Sequence, residues 1–139
     1  MEWTDLVLEA TGVLKVFGKA PSIDNVRLQE ASLNWNGPSL EIRFDLADYP
    51  ANPPTEWVIG QCNRVQLSLA CFGLREIAIR RWGTQNQASL MIGTAGPTRV
   101  LEAIGDDVDI RLSCDFIYIR KLSVYLDGGN EQPPNATAH

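Results

Sequence analysis

Few residues in this chain can do chemistry, and their spacing narrows what that chemistry could be. The single histidine is His139, the last residue. A Ser–His–Asp or Cys–His site needs a base held within hydrogen-bond reach of its nucleophile, which a terminal histidine does not offer. The same position removes histidine-based zinc sites, and the three scattered cysteines, Cys62, Cys71 and Cys114, do not make one alone. There is no GxxxxGK phosphate loop and no GxGxxG fingerprint. Carboxylates remain. Asp45 and Asp48 flank the start of a proline-rich stretch, and Asp106, Asp107 and Asp109 cluster in "GDDVD". Paired carboxylates do general acid–base work, as in glycoside hydrolysis, and clustered ones can hold calcium. "GDDVD" lacks the ligand spacing of an EF-hand loop, and the plainer reading is a solvated turn. The functional reading preferred here is an acidic patch that faces a basic protein surface.

Tryptophan is the second chemical resource. Trp35 and Trp82 fall near strand ends. Exposed, they could stack on a sugar or anchor an interface; buried, they would only pack. "REIAIRRW" carries Arg75, Arg80 and Arg81, too short a basic run in an acidic chain to argue for nucleic acid. The formal charge of −5 and the pI near 4.8 point the same way. No apolar run reaches the roughly 20 residues of a membrane span, and the N-terminus lacks the basic region and cleavage site of a signal peptide. The "NAT" sequon at 135–137 is then a chance match. An odd number of cysteines without CxxC spacing makes a poor disulfide framework, so they read as core thiols in a reducing, cytosolic compartment.

The elements that must position these groups are mostly strands. Residues 3–17 are the helical stretch, as one helix or two short pieces, because Gly12 weakens the middle. Gly18 is the stop signal. From Val26 onward the period is two. Parity flips near Gln29–Glu30, which predicts a bulge in one long strand. "NGP" at 36–38 signals a hairpin. Leu40, Ile42, Phe44 and Leu46 then alternate with Ser39, Glu41, Arg43 and Asp45, a buried face against a wet one. Val65 to Cys71, Leu74 to Ile79, Leu90 to Ile92 and Val100 to Ile104 supply further segments. A long even-parity run goes from Val108 through Tyr118, with a break near Arg120–Lys121. Pro50, Pro53 and Pro54 exclude both a central strand and a helix, and suit a stiff crossing from one sheet to another, anchored by Trp57. The expected fold is mainly β: an antiparallel β-sandwich, or a strongly bent sheet of about seven or eight strands, with an N-terminal helical segment. Residues 1–126 read as one domain and 127–139 as a flexible tail.

A resemblance runs through these elements. Phe17–Gly18, Pro21–Ser22, the strand Leu40 to Leu46, then Pro50, Pro53, Pro54 and Trp57, then Asn63, Val65, Leu67 and Leu69 resemble the immunity protein 50 family of bacterial polymorphic toxin systems. The likeness covers residues 3–126, and Pro–Pro–x–x–Trp is its most distinctive piece. Many members carry a His–Asp-like pair after the proline–serine; this chain has Ile23–Asp24, so no role for such a histidine carries over. The resemblance implies a cytosolic, cofactor-free protein that binds a cognate toxin and neutralises it by stoichiometric occlusion, with no catalysis of its own. Its interface should set an aromatic anchor in a charged rim. The candidates are Trp82, Asp45, Asp48, Asp106, Asp107 and Asp109. Two other readings compete. One is a carbohydrate-binding β-sandwich that uses Trp35 or Trp82 as a platform; the other is a small enzyme with paired carboxylates. The oligomeric state stays open, since an unpaired edge strand can accept a partner strand.

Overall fold

A computed structural model describes residues 2–127. Of the expected tail, 127–139, all but Asp127 lies outside the described residues, His139 and the sequon included. Eight strands form one antiparallel sheet: β1 (Val26–Asn34), β2 (Ser39–Asp45), β3 (Arg64–Phe72), β4 (Glu76–Arg81), β5 (Gln87–Ala95), β6 (Thr98–Ile104), β7 (Asp109–Cys114) and β8 (Phe116–Tyr125). Their spatial order is β4-β7-β6-β5-β1-β2-β3-β8. The sheet is open, with β4 and β8 on its outer edges. Of the two architectures expected, the bent sheet is the one found.

The bend has a visible cause. Only Val26↔Ala88 and Arg27↔Gln87 join β1 to β5, whereas β1–β2, β2–β3 and β3–β8 are paired along most of their length. This narrow junction divides the sheet into a β1-β2-β3-β8 half and a β4-β7-β6-β5 half. The inner faces of both halves feed one hydrophobic cluster: Leu40, Ile42, Phe44, Leu67 and Leu69 from the first, Leu90, Leu101, Ile110 and Leu112 from the second. Period-two alternation creates those faces, and burying them is the main favourable term in folding. Cys71 and Cys114 are buried in the same core. A hydrogen bond to Cys114, together with burial, pushes the Cys71 thiol up, so it stays protonated. Cys62 is half-buried.

The helical stretch is two pieces: a 3-10 turn, Trp3–Leu6, and α1, Thr11–Phe17. The break falls at Leu8–Glu9 rather than Gly12. Leu8 bridges to the outer edge of β8, donating to the Ile117 carbonyl (2.9 Å) and accepting from the Ile119 N–H (3.0 Å). Gly18 ends α1 in the left-handed region at φ 76°, its N–H capping the Leu14 carbonyl. The bulge lies between Leu28 and Glu30, as the parity flip predicts. A second register shift opposite Ser68–Leu69 leaves Arg120 unpaired, matching the break expected near Arg120–Lys121.

Two expectations change. The prolines do not carry the chain to another sheet, because β2 and β3 are adjacent partners, from Ser39↔Phe72 to Asp45↔Gln66. The stretch is a long loop over one end of that pair. It also contains a short helix, α2 (Thr55–Ile59), entered from Pro54 in an extended conformation. Proline is tolerated at a helix start because the first N–H groups lack intrahelical partners anyway. Trp57 does reach the core, half-buried, with its ring 6.1 Å from that of Tyr49. The passage between halves is made elsewhere. The even-parity run is two strands split at Asp115, so Ile117 and Ile119 point inward while Phe116 and Tyr118 face outward. Asp115 N–H donates to the Phe72 and Gly73 carbonyls (3.0 and 3.1 Å), and its carboxylate pairs with Arg75 (2.7 Å). Gly73 sits there at φ 71°, and a Cβ on it would run into the Asp115 carboxylate.

Candidate partner-binding surface

The β1–β5 junction gathers four connections at one end of the molecule. These are the α1–β1 loop, the β2–β3 proline loop, the β4–β5 loop and the β6–β7 turn. Hydrogen bonds trace the path. Asp48 Oδ2 accepts from Ser22 N–H (3.2 Å), and Ser22 Oγ accepts from Asp24 N–H (3.2 Å). Gln87 Nε2 donates to Asn25 Oδ1 (2.9 Å). The backbone of Gly105 lies so close under the Gln87 carbonyl that no side chain fits there.

Trp82 follows directly on β4 and is 43% exposed. Its loop is locked by Asn86, whose buried amide accepts from Gly83 N–H (2.8 Å) and donates to the Gly83 carbonyl (3.0 Å). Sequence reasoning missed Asn86; its only signal was an asparagine inside a turn-forming "GTQNQ". Gly83 also packs against the next turn, where an added Cβ would approach Asp107 Cβ to 2.9 Å. That turn is closed by Gly105 N–H to the Val108 carbonyl (2.8 Å). Val108 is buried, so Asp106 and Asp107 are turned outward and exposed.

The six candidate residues therefore separate into two groups. Trp82, Asp48, Asp106 and Asp107 are presented at this end. Asp45 and Asp109 are not. Asp45 points off the outer face of its half, as alternation predicts, yet it is only 2% exposed. Long polar side chains cover it: it accepts from Gln29 (2.8 Å), Gln66 (3.0 Å), Arg27 (3.3 Å) and the Tyr125 hydroxyl (2.6 Å). A carboxylate so enclosed clamps β1, β2, β3 and β8 together. Asp109 is also buried, against Arg111 (3.1 Å) and Arg81 (3.9 Å), and steadies the end of β4 next to Trp82. Next to the Asp45 clamp, Asp127 is held by Asn63 and by Arg64 (3.1 Å), so the ordered chain runs to at least that residue.

The exposed carboxylates Asp24, Asp48, Asp106 and Asp107 enter no ion pair among the described residues. Arg80 lies exposed two residues before Trp82, at the rim. On the proline loop, Val58 and Ile59 add exposed apolar surface. Among the described residues no cluster of three or more His, Cys, Asp or Glu is arranged to hold a metal, and no helix is long and apolar enough to cross a membrane.

Fold and surface together define a small all-antiparallel β domain that carries unmatched negative charge and a half-exposed tryptophan on loops at one end. The chain belongs to the Immunity protein 50 family, whose sequence profile matches residues 9–125. Neither a curated protein nor a solved structure matches it.

Proposed function

We propose that this protein is a bacterial, cytosolic immunity protein that binds a cognate polymorphic toxin and blocks it by stoichiometric occlusion. The family's name supports the general role, an immunity protein directed at a toxin and acting by binding rather than catalysis. The surface supports the finer reading. Its carrying observation is the set of exposed carboxylates without ion pairs, Asp24, Asp48, Asp106 and Asp107, on the loops of the end that carries Trp82. Unpaired charge of one sign attracts a partner of the other sign and speeds encounter, while a desolvated aromatic ring supplies the lasting contact. Asp45 and Asp109 act in this scheme as supports beneath the surface rather than as contacts.

The test is protection. The toxin module encoded beside this gene is expressed with and without this chain, and growth is followed. The expected result is rescue by the native chain and loss of rescue when Trp82→Ala is combined with serine at Asp48, Asp106 and Asp107. Full rescue by that folded variant would move the contact surface elsewhere. No rescue by the native chain would defeat the immunity reading.

A further inference from the structure

The opposite end of the β1-β2-β3-β8 half carries a second site of different chemistry. A groove of about 330 Å³ opens between the β1–β2 hairpin and β3, within the size range of small-molecule sites. Phe72 is its one aromatic lining residue. Phe72 stacks on Tyr118 (5.6 Å between centroids, 12° between planes) and on Phe116 (5.8 Å, 16°). The outward turn of Phe116 and Tyr118 after Asp115 creates this row. On its other side, Phe72 faces the hairpin, where Gly37 sits at φ 127° and an added Cβ would come to 3.0 Å of the ring. Leu33 and Ala70 add apolar lining, and the rest is polar: Ser32, Asn34, Asn36, Ser39, Glu41 and Arg120. Trp35, between the two asparagines at the rim, is 89% exposed.

Charge selects among possible guests. Glu41 already faces Arg120 at 3.5 Å. A cationic guest at Glu41 would meet Arg120, and an anionic guest at Arg120 would meet Glu41. A neutral guest meets neither penalty and finds amides, hydroxyls and one carboxylate–guanidinium pair able to donate and accept. Phe72, with Leu33 and Ala70, offers apolar contact to one face of a ring. A neutral ring with an apolar face and a hydroxylated rim matches all three features. We infer that this groove binds a short neutral oligosaccharide, one sugar ring setting its apolar face against the part of Phe72 that lines the groove and its hydroxyls reaching Glu41, Asn34 and Asn36. This site does not depend on the toxin-binding end, and neither reading requires the other.

The experiment uses the full chain and a panel of neutral β- and α-linked glucose and N-acetylglucosamine oligomers, with adenosine as a flat non-sugar control. Binding is read by saturation-transfer NMR and by tryptophan emission. At least one glycan should saturate at millimolar concentration, with transfer strongest at the protons of one ring. Glu41→Gln and Asn36→Ala, both on exposed or half-exposed positions, should weaken it about tenfold, as should Phe72→Ala if that variant folds. Trp35→Phe should retain binding while removing the emission change. No saturable glycan binding, equal binding in the Glu41→Gln and Asn36→Ala variants, or preference for adenosine would overturn the assignment.

Discussion

The two ends of this sheet treat charge in opposite ways. At the hairpin end most exposed or half-exposed carboxylates have a guanidinium beside them: Glu41 with Arg120, Glu30 with Arg43 (2.8 Å) and Asp115 with Arg75, with Glu76 the exception. At the junction end the buried carboxylates, Asp45 and Asp109, are the matched ones, and the exposed ones are left unmatched. A folding requirement explains the matched groups, since a buried charge without partners is strongly destabilising. It does not explain the unmatched ones, which cluster where they add mutual repulsion. Charge arranged against the interest of the isolated molecule is best understood as addressed to another molecule.

The contrast can be broken most severely at its buried member. Asp45→Ala should cost roughly 3 kcal/mol, because it leaves Gln29, Gln66 and Tyr125 facing an empty acceptor site. Asp48→Ala should change stability by less than about 0.5 kcal/mol. Urea unfolding of the two variants side by side checks this, and equal losses would erase the distinction between clamp and surface. The next effect concerns encounter. Replacing Asp24, Asp48, Asp106 and Asp107 by asparagine should slow association with the toxin about tenfold at low salt, with the difference closing as salt rises. Stopped-flow association at several ionic strengths reads it directly, and thermal stability should hold.

A third and smaller effect is a pH dependence. Burial, then the hydrogen bond to Asp45 and its charge, pushes the Tyr125 phenol up to about 12. The unfolded value is about 10. The folded state therefore holds this proton more tightly, and the stabilisation is fully present below about pH 10 and lost as pH rises through about 12. Tyr125→Phe should flatten that alkaline decline in the unfolding midpoint; an unchanged decline would place its source elsewhere. The smallest effect belongs to Trp35. Its alanine variant should match the native chain within about 0.5 kcal/mol, since the ring packs on nothing that folding needs. A larger loss in calorimetry would show it to be a structural part of the hairpin.

Local signals carried much of this fold in the sequence. Gly18, the bulge before Glu30, the "NGP" turn and the alternation of β2 and β3 all depend on neighbours a few residues away. What could not be read depends on residues far apart. Alternation gave Asp45 its correct outward direction, but its burial comes from Tyr125, Gln66 and Gln29, which reach it across three other strands. The split at Asp115 was hidden because apolar residues continue at even positions on both sides of it. Phe116 and Tyr118 are apolar because they build an outer aromatic row, not because they enter the core. The prolines were rightly excluded from strands, yet nothing local says whether the strands they separate lie in one layer or two.

The pairing of β3 sets a condition on when the protein becomes useful. One edge of β3 closes early against β2, its predecessor in the chain. The other waits for β8, with Arg64 opposite Tyr125 and Phe72 opposite Phe116. During synthesis, therefore, β3 keeps a bare edge until β8 has left the ribosome. Long-range pairings of this kind form late, and bare edges invite wrong partners. A nascent chain halted before Phe116 is thus not a weaker form of the finished protein but an adhesive one, and a cell making it needs β8 translated before it has any working copy.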